Sequence, residues 1–499
     1  MARPHFASRF ALGIGAIAAM TTALPRAASA GGYDTPILYS ARHMGMAGTA
    51  IGYVNDPSAM FHNPAGLGGV RGLELLGDIS PLYGSITSSP GAPDTAGANG
   101  NYPSRTTEPA VSPLFMFGAA YRIADPVTIG FGVYPVAAAA GEYRTTDAIG
   151  MPNIDKTRLV FMEFSPAISV NLMRNLSLGV GYRVTLATLE RVKGNINDPR
   201  EFNFEVSGVD AAGIRAGLQW QVSDNVSVGA VYRHKVEPTL KADNVYAYRP
   251  LINGETTFVL PSKAGIGFSG KFDRLHPALD FEYGFYSQNT TTTLTGVDPT
   301  NNEVLSVTNY FMWQNAVTAR LGLEYLLGNE RQIPVRVGYI YDGKVGNKMY
   351  PTAFGTPPAA SNSFTVGAGY RGEKWQVNVA GAYRFASAVV TPADVMGAQG
   401  CASCSKPGPD YNLKILGFYL DFSYRFDVAP LFGGATAAPA PTPAPAPPPA
   451  QPATPASSLE PVPAPTSPST SPAPPPGPTT SPAPATSPAP ATSPTPAKP

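Results

Sequence analysis

The chain has 499 residues and a formal net charge of +1, too near neutral to set up the basic field that draws nucleic acid, so no nucleic-acid partner is expected. Charged residues make up only 14%, well below the roughly 25% of ordinary soluble domains, while 51 glycines, 54 prolines, 24 tyrosines and 23 phenylalanines favour strands and turns over helices. The two cysteines, Cys401 and Cys404, are too few for a disulfide-built fold or a multi-cysteine zinc site.

Residues 1–30 read as a secretory signal peptide. Arg3 and Arg9 give a basic start, Phe10 to Met20 is a short apolar run, and Ala28-Ser29-Ala30 is a small-residue cleavage site. The run is too short to cross a hydrocarbon core of ~30 Å. No later stretch reaches the roughly eighteen consecutive apolar residues of a spanning helix. The sequence thus predicts an exported chain beginning near Gly31.

Residues 31–70 do not alternate. They read Met44-Gly45-Met46-Ala47-Gly48, then Asp56-Pro57-Ser58-Ala59, then Asn63-Pro64-Ala65-Gly66-Leu67. Small residues allow close packing, and each proline interrupts regular structure. Met44, Met46, Ile51, Phe61 and Leu67 have no place in a loose leader. A compact segment of this kind fits inside a barrel as a hatch.

Residues 71–426 carry the alternation of transmembrane strands. In 415–426, Leu416, Phe418, Leu420, Phe422, Tyr424 and Phe426 share one face, and Asp421, Ser423 and Arg425 the other. Fourteen such segments count out, from 71–86 to 411–426. Tight turns alternate with long loops, the latter at 87–108, 144–156, 193–207, 241–255, 289–308, 346–361 and 388–410. Arg183, Arg215, Arg233, Arg320, Arg336, Arg384 and Arg425 all fall on the non-aromatic face, as do Glu163, Asp280, Glu282, Glu324, Asp342 and Asp421. A basic charge at the lipid midplane costs about 2–4 kcal/mol, so these groups must face the lumen.

The run from Gly45 to Leu67, joined to the signal peptide and the strand count, resembles the hatch region of the FadL/TodX family of outer-membrane transporters. The resemblance implies a hatch-plugged barrel for passive uptake of hydrophobic small molecules. Long-chain fatty acids come first. Aromatic hydrocarbons are one alternative, and a structural anchor for the tail is another. Ligand would enter an apolar pocket and leave sideways into the bilayer at a kinked third strand. Here that strand, 126–143, contains Pro135, Val136, Ala137 and Ala138, where proline removes a ladder hydrogen bond and the alanines leave space.

Other motifs carry less. Gly265, Gly267 and Gly270, and again Gly367, Gly369 and Gly372, match GxGxxG but open no helix, so no nucleotide cofactor is expected. No Ser/His constellation or HExxH motif is legible, so the chain reads as no enzyme and binds no metal. Cys401 and Cys404 fit a small disulfide in the last outside loop of an exported protein.

From Pro439 onward the chain is almost only Pro, Ala, Ser and Thr, with nearly half of the 54 prolines. Such a segment cannot bury a core, so residues 427–499 read as a disordered periplasmic tail with the reach to meet the cell wall. Phe426 must then serve internally as the terminal aromatic read by the barrel-assembly machinery. The expectation is an all-β, fourteen-stranded antiparallel transmembrane barrel in outer-membrane lipid, with a hatch over 31–70.

Overall fold

Alternation of side chains sets the architecture. The computed structural model describes residue 34 and residues 38–88, 105–106, 110–146, 150–350, 358–390, 394 and 411–432. The expected signal peptide, Cys401, Cys404 and nearly all of the Pro-rich tail lie outside the described residues.

Fourteen strands form the wall: β1 Leu73–Ser88, β2 Ala110–Ala124, β3 Val127–Thr146, β4 Pro152–Met173, β5 Leu176–Asn195, β6 Asp198–Ser223, β7 Val226–Arg233, β8 Lys263–Gly270, β9 Leu275–Gly284, β10 Ala316–Leu327, β11 Ile333–Asp342, β12 Ser361–Arg371, β13 Trp375–Ala388 and β14 Tyr411–Phe426. Each pairs antiparallel with its neighbours. β1 runs against β14 from Leu73↔Phe426 to Ser88↔Tyr411 and against β2 from Leu73↔Tyr121 to Gly84↔Ala110, which closes the ring. Closure removes the free edges that lipid could not satisfy.

The expected faces are the observed ones. In β14, Leu416, Phe418, Leu420 and Phe422 are exposed outward, and Asp421 and Ser423 are buried inward. Arg183, Arg215, Arg320, Arg336 and Arg384 are all buried on the inner face.

Two of the expected long loops are instead ladder. β3 and β4 pair up to Thr146↔Pro152, and β5 and β6 up to Asn195↔Asp198. Lys156–Glu190, Arg191–Asp155 and Lys193–Glu201 decorate this extension as ion pairs. Charges on both faces hide a strand that stands in water rather than lipid. The connection 241–255 lies within a hairpin of Thr239–Ala247 and Arg249–Thr257, and 289–308 holds strands Thr291–Val297 and Val304–Tyr310. The first hairpin pairs with β6 and with Thr291–Val297, so the wall continues as a sheet above the loop-bearing rim.

At the other rim, the chain beyond β14 runs back to the foot of β2. Tyr121 Oη donates to the Ala429 carbonyl (2.6 Å), and the Phe432 N–H donates to the Ile123 carbonyl (2.9 Å).

Candidate functional site

The inward face of the wall carries glycines where bulk would be expected. Gly179 stands opposite Gly217, Gly229 opposite Gly267, and Gly322 opposite Gly338. A Cβ on Gly217 would overlap the Asn63 side chain, and one on Gly229 the Ile51 carbonyl. The missing side chains make room for residues 38–70, which fill the middle of the ring.

This inner segment holds two short helices, α1 (Ala41–Met44) and α2 (Ala59–His62), and a 3-10 turn, Pro64–Gly69. Its motif residues are buried, and Asn63 is fully so. Asn63 Oδ1 accepts from the Ala65 N–H (3.2 Å) and caps the turn that Pro64 begins. Asn63 Nδ2 donates to the carbonyls of Ile51 (2.8 Å) and of Leu218 on β6 (3.1 Å). One side chain thus joins two stretches of the segment to the wall.

Lumen carboxylates and amides hold the rest of the segment. Asp280 accepts from the N–H groups of Ala50 (2.8 Å) and Ile51 (3.1 Å). Asp421 accepts from Ser40 Oγ (2.7 Å) and the Arg42 N–H (3.0 Å). Asn171 Nδ2 and Gln219 Nε2 donate to the carbonyls of Gly68 (3.0 Å) and Val54 (3.1 Å). Burial pushes the His62 imidazole down to about 3, with the His43 charge acting the same way. Burial would raise Asp56, but its hydrogen bond to His43 and the charges of His43 and Arg42 hold it well below the usual carboxylate range.

The third strand departs from the pattern of the wall. Residues 134–140 are buried on both faces, where a lipid-facing strand alternates. The β2–β3 ladder runs only from Ala124↔Val127 to Phe117↔Val133. Beyond it, β2 continues against β1 while β3 continues against β4 alone. A bulge at Val136 follows Pro135↔Met162 and precedes Ala137↔Phe161. Pro135, Val136, Ala137 and Ala138 therefore sit at a break in the wall.

The break is tied to the inner segment. Tyr39 Oη donates to the Pro135 carbonyl (2.6 Å), and Tyr134 Oη lies 3.1 Å from the Met60 carbonyl. Tyr134 also bonds Glu163 (2.6 Å), which pairs with Arg183 (2.6 Å) and Arg215 (3.2 Å), all buried. Phe61 packs edge-on to Tyr39 and Tyr134 at 5.1 and 5.4 Å between ring centres. On the inner side of β1, β11 and β14 lies a small cavity of about 20 Å³, lined by Leu38, Met44, Leu82, Ile340, Ile415 and Tyr419, with Arg384 at its side.

A second ion cluster escaped the sequence. The Asp34 carboxylate is buried against Arg233 and Lys263, the latter at 3.0 Å, and accepts from Tyr286 Oη (3.0 Å). Burial opposes its ionisation, yet the charges of Lys263 and Arg233 hold it well below the usual carboxylate range. A lone aspartate in a non-alternating stretch gives no sign of its distant partners.

Comparison with known proteins adds a lineage. A family model described as outer membrane protein transport protein (OMPP1/FadL/TodX) matches residues 21–426. The chain is 26% identical over 229 residues to a putative outer membrane protein, NMB0088, of Neisseria meningitidis; the match covers 40% of this chain and 48% of that protein, about half its length. In fold it is similar to a Pseudomonas aeruginosa FadL homologue at 17% identity and TM-score 0.64, covering 79% of this chain and 100% of the other. It is also similar to the P. putida toluene transporter TodX, at 16% identity and TM-score 0.59, covering 79% and 99%.

Proposed function

The chain belongs to the OMPP1/FadL/TodX family of outer membrane transport proteins, and from that premise we propose that it takes up hydrophobic small molecules passively, long-chain fatty acids first among them. The loop-bearing rim faces outward, and the tight turns and the Pro-rich tail face the periplasm. Ligand passes the sheet above the rim, rests against the apolar lining of the lumen and leaves between β2 and β3 into the bilayer. The segment 31–70 acts as the hatch that closes the axial route to ions and polar solutes.

The observation that carries this reading is the end of the β2–β3 ladder at Phe117↔Val133 beside a lumen filled by residues 38–70. A filled lumen leaves little room along the axis. An unpaired stretch of wall offers an exit whose far side is lipid.

The test is a double substitution, Pro135→Val with Ala137→Leu. The valine restores the missing N–H, and the leucine fills the space beside the bulge. Uptake of labelled oleate should fall strongly while the heat-modifiable mobility of the folded barrel stays unchanged. Uptake at the wild-type rate through a wall found closed in the variant's structure would exclude the lateral route.

A further inference from the structure

The buried arginines of the wall turn to the lumen, as Arg384 does on β13, where it pairs with Asp342 at 3.0 Å. Lys414 on β14 does not. Its neighbours Leu413 and Ile415 are buried inward, and Lys414 is exposed on the outer face with Leu416, Phe418 and Leu420. Among the described residues its ammonium has no ion-pair partner.

Height along the strand explains why a cation is tolerated there. A rise of roughly 3.3 Å per residue at a tilt of about 40° puts Lys414 on the order of 30 Å from Phe426, just past an apolar band about 25 Å tall. Trp375, opposite Tyr424, marks the tight-turn border of that band. Tyr83, Leu416 and Tyr383 form an exposed row across β1, β14 and β13 near the other border, and Ser85, Lys414 and Phe385 form the row beyond it. Tyrosines gather at such borders, where a lipid-facing cation loses most of its midplane cost. Beside Lys414 the outer face is a panel of rings. Phe385 stacks on Tyr383 at 5.7 Å and on Phe364 at 6.3 Å, and Phe364 lies 5.4 Å from Tyr339, measured between ring centres. From β11 to β14 the panel spans three strand spacings, about 14 Å, wide enough for several acyl chains side by side. An unpaired ammonium at the headgroup edge of such a panel suits an anion carried by a lipid with several chains.

We propose that Lys414 binds the phosphate of a multi-chain lipid in the leaflet on the loop-bearing side, and that the lipid's chains lie on Tyr383, Phe385, Phe364 and Tyr339. The site is on the outside of the wall and takes no part in uptake through the lumen. Charge selects the phosphate and the ring panel selects the chains, so neither a neutral lipid nor a free phosphate satisfies both.

The experiment titrates the purified full-length barrel in detergent with lipid A and with the same lipid stripped of its phosphates, and counts bound lipid by native mass spectrometry. The parent should hold lipid A about tenfold more tightly than the stripped form, as one charge-assisted contact predicts. Lys414→Gln should abolish that preference without weakening the stripped lipid, and Lys414→Arg should keep it. Lys374→Gln, which removes a cation from the tight-turn rim, should change nothing. Inorganic phosphate at millimolar concentration should fail to displace lipid A, because the chains hold it. Heat-modifiable mobility reports that each variant is folded, and oleate uptake by Lys414→Gln should match the parent. The proposal is overturned if the parent shows no preference, if Lys414→Gln keeps it, if Lys374→Gln loses it too, or if Lys414→Arg fails to keep it. Displacement of lipid A by inorganic phosphate would overturn it as well, making Lys414 a site for free anions.

Discussion

Single residues in the lumen work as shared partners, and their loss should cost more than the bond they make. Glu163 is the counter-charge of both Arg183 and Arg215. Glu163→Gln leaves two buried guanidinium groups uncompensated and should lower unfolding stability by about 3–5 kcal/mol. Replacing all three by Leu and Met should come close to neutral, because desolvation then disappears with the charges. Equilibrium unfolding in urea from lipid vesicles reads both; a single substitution as mild as the triple one would contradict the pairing. His62 gives the hatch a pH dependence. Its Nε2–H donates to the Tyr39 carbonyl (2.9 Å), and the charged and titratable groups that act on it are His43, Arg320 and Asp56. The unfolded imidazole binds a proton near pH 6.5 and the buried one only near 3. Its contribution is therefore complete above pH 6.5 and is lost as pH falls towards 3, at up to about 1.4 kcal/mol per unit. Hydrogen exchange at the Asn63 and Ala65 amides, corrected for intrinsic rate, should quicken between pH 7 and 4.5. His62→Gln, which keeps a donor for Tyr39, should remove most of that change; an unaltered dependence would assign it elsewhere.

At the scale of elements, strands facing lipid on one side were legible and strands facing water were not. Phe418 to Phe426 alternate because lipid and lumen demand opposite chemistry. Where the β5–β6 ladder rises past the rim, Glu190, Arg191 and Lys193 follow one another, and both faces accept charge. The hatch motif was visible because Asn63 and Pro64 act locally. The end of the β2–β3 ladder was not, since pairing between Phe117 and Val133 depends on how two strands diverge, and Pro135 marks only one of them. The stretch after β14 also proved more tied than its composition suggested. Truncation after Val428 removes the Ala429 and Phe432 bonds to β2, whereas truncation after Phe432 keeps them. Two hydrogen bonds at about 1 kcal/mol each predict a slightly lower heat-modification temperature for the shorter chain and none for the longer. Equal temperatures would make that contact idle, and failure to assemble would make it essential.

The described barrel is a closed wall built around a filled lumen, and the uptake reading proposed above puts its outlet where the β2–β3 ladder ends while both strands run on. Buried ion pairs line the inside, yet they join strands to each other and to the hatch rather than lining a water path. Such a barrel should pass hydrophobic molecules and refuse hydrophilic ones. The most direct test measures both in the same cells: labelled oleate uptake, and entry of a small hydrophilic dye, in a strain without its own transporter that produces this protein. Oleate uptake should rise severalfold over the empty vector while dye entry stays at background. Dye entry rising with no gain in oleate would mean an open aqueous pore and would contradict the account.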